Sequence, residues 1–249
     1  MMATTPPVED LRRSVIDEQA TALTRARYQR LSAIYDLMEG MAEARYRPWR
    51  EKLWALVKGP RVLEVGVGTG KNMPYWPKGV QMTGIDLTPG MLEIAHRRAT
   101  RLGLTANPLA GFAPAPRSEA KWAGPVLRLG DAQALEFPDA SFDAAVATFV
   151  FCSVPDPLLG LHELGRVVKP GGQILLLEHV RSANPILGAM MDMLNSLVVR
   201  VMGANINRRT VENVQAAGLY VESVEDLRRG IFKLIVARVG NGTDLGGPA

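Results

Sequence analysis

Val62-Leu63-Glu64-Val65-Gly66-Val67-Gly68-Thr69-Gly70 is the stretch that decides the fold. Residues 61–65 are a short apolar and β-branched run, the composition of a buried strand, and the run stops in glycines at every second position. Glycine lets the chain turn sharply and lets a ligand approach the backbone. A turn of this kind belongs at the carboxyl end of the first strand of a doubly wound sheet, where such folds bind their ligands.

Two ligand classes compete for the turn. A dinucleotide fingerprint needs G-x-G-x-x-G. Counted from Gly66, its third glycine would fall on Lys71; counted from Gly68, it would fall on Met73. Neither register works. The E-x-G-x-G-x-G that is present suits S-adenosylmethionine (SAM), which has no pyrophosphate to dock on a helix N-terminus. Its amino-acid end calls instead for backbone contacts and polar neighbours.

Outward from the turn, strands and helices alternate. Residues 80–85 read as a second strand ending at Asp86, an acidic group placed to accept from both ribose hydroxyls. Residues 89–102 read as a helix, with Thr88 as N-cap and Pro89 at its first position. Residues 105–125, rich in Ala, Pro and Gly, read as an exposed insertion. Residues 126–129 form the third strand, followed by Gly130-Asp131-Ala132, where Asp131 would accept from the adenine amino group. Residues 142–148 are apolar enough for a strand buried on both faces. A helix over 158–168, ended by Lys169-Pro170-Gly171-Gly172, leads to a fifth strand over 173–178. After the apolar, methionine-rich segment 186–202 and a helix over 210–217, residues 220–227 and 231–239 predict an antiparallel pair turning at Arg229-Gly230. The expected architecture is α/β: a doubly wound, mostly parallel seven-stranded sheet with helices on both faces.

Ahead of the first strand, residues 9–56 read as helical in two or three pieces, with a break at Gly40 and a restart at Pro48. The expected organisation is a helical extension over 1–56, a SAM-binding domain over 57–240 and a polar, glycine-rich tail over 241–249.

The chain has 249 residues, 47% hydrophobic and 22% charged, which suits one large α/β domain with additions. Cys152 is its single cysteine, so no intrachain disulfide forms, and His96, His162 and His179 are scattered; no metal site is expected. The net charge of +4 is too mild to indicate nucleic acid but suits an anionic membrane surface. No uninterrupted apolar run reaches spanning length, and the first twenty residues lack the apolar stretch of a signal peptide. These features predict a cytoplasmic protein, peripheral to the inner face of the membrane, and a monomer.

Residues 61–180 resemble a class I SAM-dependent methyltransferase. Val62 to Gly70 matches the first motif of that family, Gly84-Ile85-Asp86-Leu87-Thr88-Pro89-Gly90-Met91-Leu92 the second, and Gly130-Asp131-Ala132 with Leu135, Phe137 and Pro138 the third. The resemblance implies that Glu64, Gly66, Gly68 and Gly70 serve the methionine end of SAM, Asp86 its ribose, and Met91, Asp131 and Ala132 its adenine. It places Cys152, with Ser153, near the transferred methyl group.

The flanks are more selective. Tyr35-Asp36 resembles ubiquinone/menaquinone-type enzymes and bacterial phosphatidylethanolamine N-methyltransferases. Glu178-His179-Val180-Arg181-Ser182, Asn195 and residues 203–210 resemble the phospholipid enzymes of the Rhodobacter type. That implies successive N-methylation of phosphatidylethanolamine. A quinone-ring C-methyltransferase, another small-molecule methyltransferase and a catalytically silent SAM-binding membrane module remain the alternatives. Tyr35 is the first candidate for orienting the amine and His179 the second. Arg200, Arg208 and Arg209 are candidates for holding a lipid phosphate by paired hydrogen bonds, against ordinary surface charge before a Thr210 helix cap. The arginines between Arg12 and Arg30 would meet an anionic surface, or else form a solvated helix face.

Overall fold

A computed structural model describes residues 16–104 and 124–241. The first fifteen residues, most of the expected insertion (105–123) and all but the first residue of the tail lie outside the described residues. β1 (Arg61–Val65) is the pivot. It pairs in parallel with β2 (Gln81–Asp86) on one side and with β4 (Phe142–Thr148) on the other. β3 (Val126–Leu129) adds beyond β2, and β5 (Val168–His179) beyond β4. β6 (Tyr220–Arg228) and β7 (Phe232–Arg238) close the far edge, β7 running antiparallel to both of its neighbours. The order β3-β2-β1-β4-β5-β7-β6 reverses direction between β1 and β4, and the crevice at such a reversal is where open α/β sheets bind ligands.

Alternation along the central strands fills both faces of the sheet. Leu63, Val65, Ala145, Ala147, Ile174 and Leu176 point to one side, where α3 (Pro157–Val167) and α5 (Thr210–Ala216) supply Leu161, Leu164 and Val214. Val62, Ala144, Val146, Leu175 and Leu177 point to the other, against Leu53 and Trp54. α2 (Pro89–Arg101) packs Leu92, Ala95 and Ala99 on Val67 and Leu127 beside them. Pro89 opens that helix after Thr88, although the Thr88 side chain makes no capping bond. Between β1 and β2, Pro74 and Pro77 leave only a 3-10 turn, Met73–Tyr75.

Three expectations are corrected. The N-terminal segment is one helix, α1 (Glu18–Ala55), capped by Asp17, whose Oδ1 accepts from the Ala20 N–H at 2.9 Å. Gly40 and Pro48 lie inside it. Gly40 costs only about 1 kcal/mol of propensity. Pro48 forfeits one backbone hydrogen bond, and burial of Arg50, Leu53 and Trp54 in the following turns outweighs that loss. Secondly, β5 begins at Val168 rather than at residue 173: Val168 pairs with Phe142, and the glycines that read as a turn are a register shift within the strand. Thirdly, the N-cap position of the last described helix is held by Arg209, which makes no side-chain capping bond, and Thr210 is buried inside the first turn. The final hairpin turns at Arg229 and Gly230, both in the left-handed region, as a two-residue turn requires. Between α3 and that hairpin lies α4 (Pro185–Met202), begun by Asn184, which accepts from the Ile186 and Leu187 amides, and ended by left-handed Gly203.

Candidate functional site

A cleft of about 120 Å³ opens at the carboxyl ends of β1, β2, β3 and β4. Three strand-end turns floor it and α1 roofs it.

The first turn carries the glycines, and the three have different reasons. A Cβ on Gly66 would run into the Val150 side chain, so Gly66 allows the turns after β1 and β4 to meet. A Cβ on Gly70 would come within 2.6 Å of Met73 Cε, away from the cleft. Only at Gly68, also left-handed, would a Cβ find space, with nothing nearer than the Gly66 oxygen at 3.9 Å. Gly68 lines the cleft, so the space beside it is where a guest can touch backbone.

Glu64 lies beneath this turn and does not line the cleft. It is fully buried and accepts from Asn72 Nδ2 at 2.7 Å and Trp76 Nε1 at 2.6 Å. Burial pushes its carboxyl up to about 7, against the pull of those two bonds and of Arg50. Asn72 in turn binds Thr148 Oγ1 and accepts from Arg50, so Glu64 braces the turn from below.

Asp86, at the end of β2, accepts from the Gly68 N–H at 2.9 Å and from the Thr88 N–H at 2.8 Å, one on each oxygen. Those bonds fix the carboxylate on the cleft wall. Burial raises its pKa and both backbone bonds lower it again. Each oxygen keeps a lone pair, the complement of a vicinal diol. Beyond β3, Asp131 is held by the Gln133 amide N–H at 2.9 Å. Asp131, Ala132 and Met91 line the end of the cleft nearest β3. The open space at Gly68 and the acceptors at Asp86 and Asp131 fit an adenosyl group bearing an amino-acid end.

The roof brings in residues that sequence reasoning missed. Thr24 and Tyr28 of α1 line the cleft together with Tyr35. Tyr28 hydrogen-bonds through its hydroxyl to Ser153, just past β4. Its signal was its spacing, seven residues before Tyr35 and so on the same helix face. Tyr35 lies 5.9 Å from Lys71 Nζ, ring centroid to cation. α1 is fastened to the turns below it: Gln29 Oε1 accepts from the Gly90 N–H, Asp36 binds Thr69 and Arg98, and Thr21 Oγ1 accepts from Gln133.

Several candidates fall elsewhere. Cys152 turns away from the cleft; its Sγ lies 3.4 Å from the Phe149 oxygen, and burial with the Glu178 charge pushes the thiol up to about 12. The wall position belongs to Ser153. His179 packs edge-on against Phe232 at 5.1 Å, outside the cleft, and burial lowers its pKa. It does not line the cleft. Arg200, Arg208 and Arg209 do not converge. Arg208 lines a second cavity, donates Nη2 to the Val154 oxygen at 2.8 Å, and has a buried Nε without a hydrogen-bond partner. Arg209 lies in a different depression beside Arg181 and Lys233, and Arg200 is exposed on α4. Among the described residues no cluster of three or more His, Cys, Asp or Glu is arranged for a metal ion.

This geometry agrees with known families. Residues 63–176 match the methyltransferase-domain model. Residues 63–176 form a methyltransferase domain. S-adenosylmethionine is the methyl donor that this domain and its fold imply. A phosphatidylethanolamine N-methyltransferase of Cereibacter sphaeroides is 36% identical over 147 residues, covering 59% of this chain and 64% of that protein. A demethylmenaquinone methyltransferase of Renibacterium salmoninarum is 31% identical over 169 residues, covering 68% and 60%. These matches span less than two thirds of either relative. Among solved structures, a SAM-dependent methyltransferase of Thermotoga maritima superposes with a TM-score of 0.62 at 20% identity, over 86% of this chain and 99% of that one. The (4+2)-cyclase SpnF superposes with a TM-score of 0.60 at 21% identity, over 79% and 80%. At these identities the likeness is one of fold, and the cyclase shows that the methyltransferase fold alone does not fix the reaction.

Proposed function

We propose that the chain methylates the amino group of phosphatidylethanolamine, in up to three successive transfers, with S-adenosylmethionine as donor. One observation carries the choice of acceptor. A second cavity, of about 320 Å³, adjoins the cofactor cleft and shares Thr24, Ser153 and Pro155 with it. Its wall holds both signs of charge: Asp17 and Asp156, and Arg27 and Arg208. That pairing suits a zwitterionic headgroup, ammonium at one end and phosphate at the other, better than a flat quinone ring. The buried Nε of Arg208 is a donor in want of an acceptor, and desolvation lowers the arginine's pKa. In this reading Arg208 holds the phosphate, with Arg27 beside it on the same cavity wall.

The donor supplies a methyl group already activated by its sulfonium charge. The chain's residues position the acceptor and exclude water, a contribution that reaches roughly 7–11 kcal/mol at its limit. Tyr28 and Tyr35 close the roof above Ser153 and offer ring faces and hydroxyls to an amine. The amine gives up its proton before each transfer, because only its lone pair can take the methyl. Vesicles offering phosphatidylethanolamine and a demethylated quinone together, with labelled donor, test the assignment. Label is expected in mono- and dimethylated lipid and in phosphatidylcholine; label confined to the quinone rejects it.

A further inference from the structure

Helix α4 turns an apolar side to water. Its water-facing side carries Ile186, Met190, Met193, Leu194 and Leu197, with Ile186 82%, Met193 75% and Leu197 61% exposed. These positions recur at three- and four-residue spacing and form one apolar stripe along the helix. The opposite side packs on the fold through buried Gly188 and Met191, and Asn195 beside them donates to Asn205 Oδ1 and accepts from the Ile206 N–H at 2.9 Å. Scattered exposed apolar residues are ordinary, but a contiguous stripe on one helix marks a contact surface.

We infer that this face of α4 docks on an anionic lipid bilayer, lying in the plane of the interface. Charge selects the occupant. The acid on α4, Asp192, is tied up by Arg181 at 2.8 Å and by Asn207, which leaves exposed Arg200 as the cation flanking the stripe. Position selects it too. The last turn of α4 and its cap contribute Val199 and Gly203 to the two-signed cavity, which Leu23 and Arg27 of α1 also line. From there α1 carries a second stripe, Leu23, Arg27, Arg30, Ile34 and Leu37, apolar and basic in turn, with Leu37 81% exposed. A helix immersed about 5–10 Å sits at the boundary of headgroups and acyl chains, and that depth brings the cavity to headgroup level.

The inference goes beyond the acceptor assignment and is read by binding alone, so the two fail separately. Full-length protein is floated with vesicles of phosphatidylcholine containing about 30% phosphatidylglycerol, with no phosphatidylethanolamine and no donor present. The wild type is expected to float. The double variant Met193→Gln, Leu197→Gln, altered only at exposed positions, is expected to bind more weakly by at least roughly tenfold, with unchanged circular dichroism and melting temperature. Sedimentation without lipid accompanies both. A wild type that does not float, a variant that floats equally well, or a wild-type dimer that the variant dissociates each overturns the inference.

Discussion

Substituting alanine at Gly68 and at Gly66 should separate the cofactor's demand on the turn from the fold's. Both glycines are left-handed, with φ of 56° and 67°, and an L side chain held there costs roughly 1–2 kcal/mol. At Gly68 that is the whole cost, because the new methyl has no neighbour within contact distance except the Gly66 oxygen at 3.9 Å. For a chain of this size each kcal/mol lowers Tm by about 2–4 °C, so Gly68→Ala should melt about 2–8 °C below wild type. At Gly66 the methyl also strikes Val150. Overpacking adds roughly 1–3 kcal/mol, for a total of about 2–5 kcal/mol and a Tm drop on the order of 10 °C. Affinity should follow the opposite order of severity relative to stability. The methyl on Gly68 fills space that a guest needs and should weaken binding of S-adenosylhomocysteine at least tenfold, or about 1.4 kcal/mol. Calorimetry on the folded variants measures this directly. Gly68→Ala binding as tightly as wild type would remove the guest from the glycine turn. Gly66→Ala melting at the wild-type temperature would refute the steric account of the Val150 contact.

Other consequences of the site are open to measurement. Glu178 is fully buried, accepts from the Val150 and Phe151 amides, and is pushed up to about 7 by burial. Its contribution to stability is therefore complete below its unfolded pKa near 4.5 and fades as pH rises through about 7, by on the order of 3 kcal/mol at 1.36 kcal/mol per unit. Urea unfolding should show that decline in the wild type and a shallower one in Glu178→Gln; parallel profiles would contradict it. Cys152, with its thiol at about 12, should resist a thiol reagent at pH 8 in the native protein and react on unfolding, since the thiolate fraction there is about one in ten thousand. Rapid native labelling would show the side chain on the cleft wall after all. Gln133 binds Thr21, Asp131 and the Asp156 amide at once. Gln133→Leu should cost about 1–3 kcal/mol and speed tryptic cleavage at Arg25 and Arg27; an unchanged cleavage rate would mean that α1 is fastened elsewhere.

Part of this site was legible because its determinants are local. A strand that ends in alternating glycines, a carboxylate at the next strand's end and another after the third are each defined by a few neighbouring residues, and the sheet assembles them at one edge. The side of a turn is harder to read. After β4 the chain passes through left-handed Phe149, and the cleft wall falls to Ser153 rather than to Cys152 beside it, a difference that composition does not encode. The roof was hidden for a different reason. Its fastenings join Tyr28 to Ser153, Thr21 to Gln133 and Asp36 to Thr69, pairs separated by 125, 112 and 33 residues. Local punctuation at Gly40 and Pro48 argued for a broken segment, whereas tertiary burial of Leu53 and Trp54 keeps the helix whole.

The same distinction explains the arginines. Arg200, Arg208 and Arg209 are close in sequence, and closeness suggested a shared phosphate. Helix α4 ends at Met202 and α5 begins at Thr210, so the loop between them sends each guanidinium a different way. Arg200 stays with the apolar stripe, Arg209 faces another depression, and Arg208 turns in beneath the carbonyls of Val154 and Pro155. Burial of a cation is costly unless its donors are met, and two backbone oxygens on Nη2 leave Nε unmet. The fold holds that guanidinium in a cavity that Ser153, Asp17 and Asp156 also line, with one buried donor left open to an acceptor.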